Sequence, residues 1–460
     1  MALCNTPRIV LAAPGSGSGK TTIMCALLAV LRSRKYKVAA FKSGPDYIDP
    51  MFHSQVIGTP SRNLDMFLFG GGTAGAAMAR YLLAADSAAA DIAVLEGAMG
   101  FYDGLGTTSD DSAYDLARAT RTPVIAIVDG NGAAISLAAQ IRGLADFRAD
   151  SHIAGFIVNH VRPAVYAYYK EVWEKETGLP ALGYMPYVPA GTLPSRHLGL
   201  ITAGEIDDLQ GRVQALAAQA AQSLDIDRIM ALARQARPFT YEDQVPGFVG
   251  KVCLAVARDA AFCFYYEDSL RLLEQLGAEI IYFSPLQDTK LPACDGIYLG
   301  GGYPELYASQ LESNLSMRGS LWRALQQNIP CLAECGGFMY LMKQFRDGDK
   351  TYDWVGAIDG TTYMTQQLTR FGYITVTAKE DTLFCRAGET YTAHEFHYSD
   401  STCNGISCDA RKAAGRRRWD CMYSRGQLFA GYPHMHLWGN IQGARRFITA
   451  CQRYSQRRSV

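Results

Sequence analysis

No uninterrupted apolar run in the 460-residue sequence reaches the roughly 18 residues that a membrane-spanning helix needs, so a spanning segment is not expected. There is no charge of one sign in excess. Lys and Arg number 44, and Asp and Glu also number 44. Without a basic surplus or an acidic tail, nothing argues for a nucleic-acid partner. The twelve cysteines contain no Cys-x-x-Cys pair. Cys331/Cys335 and Cys403/Cys408 have no histidine at zinc-finger spacing, which excludes a structural zinc knuckle. Met1–Arg8 is too short for a secretory leader, so scattered thiols imply a reduced, cytoplasmic chain. Internal repeats are missing. Low complexity is confined to Gly70–Gly72 and to Arg416–Arg418, a basic triplet that reads as a solvated loop.

What is present is a folding composition, 48% apolar and 19% charged. The length suits two large α/β domains. In the first half, short wholly apolar runs at Ile9–Ala13, Val38–Phe41, Ile92–Leu95, Val124–Val128 and Ile153–Val158 alternate with helical spacing, as in Thr21–Arg34. Such runs read as buried parallel strands. A helix-rich stretch, Glu205–Arg237, follows. Residues 238–250, with two prolines and two glycines, read as a linker. The alternation then restarts: strands at Val252–Ala257, Glu279–Phe283, Gly296–Leu299, Cys331–Ala333, Thr361–Ala378 and Leu428–His436, with helices at Tyr265–Leu276 and from Phe338.

Pro14-Gly15-Ser16-Gly17-Ser18-Gly19-Lys20-Thr21-Thr22 lies between a strand and a helix. Small residues let successive N–H groups curl around phosphate oxygens, and the helix start adds its positive dipole end. Gly15, Gly17, Gly19, Lys20, Thr21 and Thr22 are the expected nucleotide contacts. Lys20 would reach the β- and γ-phosphates, and the Thr21 hydroxyl would meet Mg2+. The loop is a variant form, because Pro14 stands where the usual first glycine belongs. Asp46 and Asp49 follow the second strand and Glu96 ends the third. Ligands sit beyond the carboxyl ends of parallel strands, so these acids point toward the phosphates. Thr21, Asp46 and Glu96 are the expected Mg2+ set, while Tyr47, Ile48 and Asp49 form the substrate-side loop.

In the second half, Glu334-Cys335-Gly336-Gly337 puts a cysteine on a sharp strand-to-helix turn, the setting of a nucleophile elbow. The helix start would lower the thiol pKa. The Gly336 N–H would face an oxyanion, with Gly301 or Gly302 offering a second donor. Gly431-Tyr432-Pro433-His434-Met435-His436 supplies a base. His434 is the choice, with His436 read as a packing or orienting histidine.

Six segments together resemble the cobyrinic acid a,c-diamide synthase family: Gly17–Thr22, Lys42–Pro50, Leu95–Gly97, Gly300–Glu305, Glu334–Gly337 and His394–Ser399. They span nearly the whole chain in the family's order. The resemblance implies an α/β fold with two domains. Residues 1–237 would be a P-loop, dethiobiotin-synthetase-like synthetase domain with a mainly parallel sheet. Residues 251–460 would be a class I-type glutamine amidotransferase domain. His434-x-His436 stands where other class I amidotransferases have His-x-Glu, so no carboxylate is found at that position. The implied enzyme is a glutamine-hydrolysing carbon–nitrogen ligase of cobalamin biosynthesis. It would use ATP and Mg2+ to amidate the a and c carboxylates of cobyrinate through acyl phosphates. Cys335, His434, Glu96 and Asp46 would be catalytic, and cobyrinate and L-glutamine the substrates. Nickel-sirohydrochlorin and hydrogenobyrinate are alternative tetrapyrroles. A partitioning-type P-loop ATPase fits the first half alone. A homo-oligomer is compatible with the sequence.

Overall fold

The computed structural model describes residues 1–193 and 209–458. The first four residues of the expected stretch Glu205–Arg237 lie outside them. The chain divides into two compact units: Met1–Phe67 with Gly71–Gln244, and Val245–Val460 with Leu68–Gly70.

The first unit is built on seven strands, β1 (Arg8–Ala12), β2 (Val38–Ser43), β3 (Ser61–Leu64), β4 (Ile92–Glu96), β5 (Val124–Asp129), β6 (Ile153–Asn159) and β7 (Ala181–Met185). They pair in the order β3-β2-β4-β1-β5-β6-β7, and every pairing is parallel. Ile9, Leu11, Ile92, Val94, Ile125 and Ile127 are all fully buried, which is why the central strands read as continuous apolar runs. The two edge strands were missed. Ser61-Arg62-Asn63-Leu64 carries one large apolar residue, and Ala181–Met185 is interrupted by Gly183. Helix α1 (Lys20–Ser33) is buried nearly all round. Ile23, Leu27 and Leu31 share one core with Val213, Leu216 and Ala220 of α2 (Leu209–Ser223).

The division between units falls at Gln244/Val245, inside the expected linker. The start of that linker is ordered, however. Phe239–Tyr241 pairs antiparallel with Ala2–Cys4. Phe239 is buried, and the Arg8 guanidinium stands 4.7 Å above its ring. That contact anchors a segment whose prolines had suggested a loose tether.

The second unit has strands β8 (Val252–Ala257), β9 (Ala278–Phe283), β10 (Gly296–Leu299), β11 (Cys331–Glu334), β12 (Arg370–Ala378), β13 (Thr390–His397), β14 (Cys408–Lys412), β15 (Arg418–Cys421), β16 (Tyr423–Arg425), β17 (Leu428–Gly431) and β18 (His434–Met435). One sheet runs β9-β8-β10-β11-β17-β16, parallel except for its last pair. Another runs β15-β14-β12-β13-β18 and is antiparallel throughout. Two expected single strands are each split. Thr361–Ala378 is shared between Ile358–Met364 and β12, which lie in different sheets. Leu428–His436 breaks at Tyr432-Pro433, so that β17 and β18 also join different sheets.

Leu68–Gly70 threads into this second unit. The Leu68 carbonyl accepts a hydrogen bond from the Thr392 hydroxyl at 3.0 Å, and the Phe69 ring meets His436 edge-on at 4.8 Å. No helix among the described residues is long and apolar enough to cross a membrane.

Candidate active sites

The loop from Pro14 to Gly19 joins β1 to α1. Gly17 and Gly19 have φ of 80° and 87°, a region that side-chain-bearing residues avoid. A Cβ on Gly19 would stand 2.1 Å from Asn159 Nδ2, which donates to the Ser18 carbonyl at 3.1 Å. The end of β6 thus props the loop. Lys20 is buried and spans the loop, donating to the carbonyls of Gly15 at 2.8 Å and Met99 at 2.6 Å. Burial, with Lys42 next, lowers the Lys20 pKa to about 8.

Beyond the loop, the Thr21 hydroxyl donates to Glu96 Oε1 at 2.6 Å, and Asp49 Oδ2 lies 3.3 Å from it. Lys42, from β2, sits among the carboxylates, 2.8 Å from Asp49 and 2.9 Å from Glu96. Glu96 is fully buried. Loss of water raises its pKa, and Lys42 opposes the rise. Asp46 is placed differently. Its Oδ1 accepts from the N–H groups of Ile48 and Asp49, and its Oδ2 is 3.9 Å from Lys42. Desolvation and the Asp49 carboxylate push it up to about 7. Of the two aspartates it is therefore Asp49 that joins Glu96 at Thr21, where Asp46 had been expected. Tyr47 and Ile48 lie at the start of the short helix Ile48–Phe52, and Thr22 is half-buried on α1. Lys42 was not singled out from the sequence. Its signal was a charged residue inside an otherwise apolar strand.

Past the carboxyl ends of β5, β6 and β7 lies a cavity of about 480 Å³ lined by Asn131, His160, Val161, Arg162, Pro186 and Tyr187 among others. His160 follows the loop-propping Asn159 directly, so the cavity adjoins the phosphate loop.

In the second unit, Cys335 has φ 45° and ψ −104°, the strained backbone of an elbow between β11 and α3 (Gly336–Leu341). The glycines after it are required by close approach. A Cβ on Gly336 would lie 2.9 Å from Pro304 Cδ and 3.1 Å from Gly302 N, and one on Gly337 would lie 2.3 Å from the Leu299 carbonyl oxygen. The Gly302 N–H is therefore held beside the elbow. The low thiol pKa expected from a helix start is not found. Helix α3 has only six residues, and Cys335 is buried. Burial, then Glu305, pushes the thiol up, outweighing the Gly336 N–H that favours thiolate.

His434 is buried, with its Cε1 edge against Gly301, where a Cβ would come within 2.5 Å. His394 is its register partner on β13 and stacks on it with centroids 4.9 Å apart. His394 Nε2 is 2.9 Å from the Tyr266 hydroxyl. Glu334, buried on β11, places Oε2 3.6 Å from His434 Nδ1 and accepts from the Tyr298 hydroxyl at 3.1 Å. His436 packs between Phe69 and Tyr266, and burial lowers its pKa to about 3.

The first unit thus offers a phosphate cradle with adjoining carboxylates, and the second a cysteine elbow with a buried histidine. Comparison with known proteins divides along the same line. Residues 9–201 match the CobQ/CobB/MinD/ParA nucleotide binding domain, and residues 253–441 match the CobB/CobQ-like glutamine amidotransferase domain. Over 443 residues the chain is 40% identical to the cobyrinate a,c-diamide synthase of Listeria monocytogenes serotype 4b (strain F2365), covering 94% of this chain and 97% of that one. Identity to the cobyrinate a,c-diamide synthase of Salmonella typhimurium (strain LT2) is 39% over 454 residues, covering 96% and 98%. The Thermoplasma volcanium protein of the same name is 37% identical over 469 residues, covering 99% of each chain.

Proposed function

The chain belongs to the cobyrinate a,c-diamide synthase family, and from that premise we propose that it amidates the a and c carboxylates of cobyrinate with ammonia taken from glutamine, at the cost of ATP. The supporting observation is that one chain carries both a phosphate loop beside buried carboxylates and a cysteine elbow beside a buried histidine.

A carboxylate does not accept ammonia directly, because oxide would have to leave. Transfer of the γ-phosphoryl group of ATP to the carboxylate gives an acyl phosphate and ADP. Ammonia adds to its carbonyl carbon and phosphate departs, leaving the amide. Lys20 gives up its loop carbonyls for the β- and γ-phosphate oxygens, and the loop N–H groups hold the rest. The cavity beside His160 and Tyr187 is of a size to take the purine base. In the second unit, Cys335 Sγ attacks the glutamine amide carbon, with Gly336 and Gly302 N–H groups facing the oxyanion. His434 takes the thiol proton and returns one to the departing ammonia. Water then cleaves the thioester and releases glutamate.

Mg2+ fits the oxygen donors present. Thr21, Asp49 and Glu96 converge, and Glu96 Oε2 is buried without a hydrogen bond. These three would hold the ion, which when bound neutralises phosphate charge. Among the described residues no group of three or more His, Cys, Asp or Glu side chains forms a metal cage. That suits an ion held largely by phosphate and water.

Incubation with ATP, Mg2+, glutamine and, separately, cobyrinate, hydrogenobyrinate or nickel-sirohydrochlorin, followed by mass spectrometry, tests the reading. Two successive replacements of hydroxyl by amino on cobyrinate, dependent on ATP, are the expected result. No mass change on any tetrapyrrole would overturn it.

A further inference from the structure

Other class I amidotransferases orient the base histidine with a glutamate two residues beyond it, and here that position is His436. His436 does not take over the task. It is packed between Phe69 and Tyr266, and neither of its ring nitrogens makes a hydrogen bond. The carboxylate that does face His434 comes from another strand. Glu334 Oε2 lies 3.6 Å from His434 Nδ1.

We propose that Glu334, the residue immediately before the nucleophile, is the positioning carboxylate of the glutaminase centre, holding His434 in the tautomer with Nδ1 protonated, so that Nε2 is the atom that takes the Cys335 proton. The proposal rests on the amidotransferase reading given above. Three features carry it. Glu334 is 1% exposed, so its charge has almost no water to stabilise it. Its Oε1 is anchored by the Tyr298 hydroxyl, which leaves Oε2 aimed at the imidazole. And it sits on β11, in the centre of a parallel sheet, one residue from Cys335. The orienting group therefore ends the rigid central strand that leads directly into the nucleophile's elbow.

The separation of 3.6 Å is longer than a hydrogen bond. Catalytic contacts of this kind are often long before substrate binds and shorten in the complex. Proton balance is simple. The Sγ proton moves to Nε2, giving an imidazolium whose charge is balanced by Glu334, and the same proton leaves with ammonia. Glu334 touches neither substrate nor Sγ, and acts through His434.

The titratable groups set against the His434 ring are Glu334 from β11 and His394 stacked from β13 with Tyr266 behind it; Cys335 follows Glu334 directly in the chain, and His436 lies two residues along. Burial and the neighbouring His434 hold His394 neutral, so Glu334 is the negative charge that favours the imidazolium.

The test is Glu334→Gln in the full chain, assayed for glutamine hydrolysis, glutamine-dependent amidation and ammonia-dependent amidation across pH. An amide can accept the Tyr298 hydrogen bond but leaves His434 in the wrong tautomer. We expect kcat for glutamine hydrolysis to fall by up to about 10⁴-fold, the effect of a triad Asp→Asn change. KM for glutamine and the ammonia-dependent reaction should keep their wild-type values. The acid limb of kcat/KM should move to lower pH, because the imidazolium loses its counter-charge. Tyr298→Phe serves if the first variant does not fold: it should lower kcat several-fold at unchanged KM. Wild-type kcat with an unmoved acid limb in either folded variant overturns the proposal. Absence of glutamine hydrolysis in the wild-type enzyme would instead overturn the amidotransferase reading beneath it.

Discussion

Cys335, Lys20 and Lys42 are each asked to do something that one substitution can isolate. Cys335→Ser should abolish glutamine-dependent amidation and spare the ammonia-dependent reaction, since serine is a far weaker nucleophile at an elbow built for sulfur. Product counting with each nitrogen donor checks it, and equal loss with both would make Cys335 structural. Lys20 makes a prediction in pH. Its pKa of about 8 in the nucleotide-free protein means that it carries its charge below that pH and loses it above. Bound phosphate needs the ammonium, so binding above pH 8 must first take up a proton. Nucleotide affinity should therefore weaken toward tenfold per pH unit above 8, and a fluorescent-nucleotide titration that stays flat to high pH would contradict this. Lys20→Ala should cost roughly 2–4 kcal/mol of transition-state stabilisation with either donor, comparable to losing an oxyanion-hole contact. Lys42→Met leaves Asp49 and Glu96 without their shared cation. Stranding buried charge costs about 3–5 kcal/mol, so the melting temperature should fall. The double variant Lys42→Met, Asp49→Asn should recover part of that loss, which a thermal melt will show.

At the scale of elements, the two turns that make the sites were also the most legible parts of the sequence. The loop before α1 and the elbow before α3 need glycine for reasons of backbone geometry, and glycine is visible in a sequence. Gly336→Ala would set a methyl 2.9 Å from Pro304 Cδ and displace the N–H groups beside the thiol. Glutamine hydrolysis should fall by roughly 10²-fold or more, the effect of losing an oxyanion donor, with ammonia-dependent amidation retained. Steady-state assays with the two donors decide it. The central parallel strands were legible because both their faces are buried. The antiparallel sheet was legible only in part: β12 and β18 fall inside the expected strands Thr361–Ala378 and Leu428–His436, while β13, β14 and β15 were missed. Cys408–Lys412 and Arg418–Cys421 are half-buried and carry charge, so no apolar run marks them. Lys42 and Glu334 were passed over for a related reason. A single charged residue in a buried strand gives no pattern, and its meaning depends on what the fold sets opposite it. Asp46 and Asp49 show the reverse case: both were named, but only the turn geometry decides which carboxylate caps the helix and which reaches Thr21.

For the whole molecule, the balance of 44 basic and 44 acidic residues leaves little electrostatic repulsion between copies near neutral pH. Solubility should pass through a minimum near pH 7 and rise on either side, and turbidity across pH at fixed salt would show whether it does. Each unit has its own apolar core, one gathered around α1 and the other around β8, β10 and β11. The chain nevertheless cannot be completed strictly in the order in which it is made. Leu68 and Phe69 leave the ribosome early, yet Thr392, which holds the Leu68 carbonyl, follows 324 residues later. At the usual 5–20 residues per second of synthesis, that interval is roughly 16–65 s. Through all of it the nascent first unit must fold around a gap and keep three residues waiting for the part of the protein they complete.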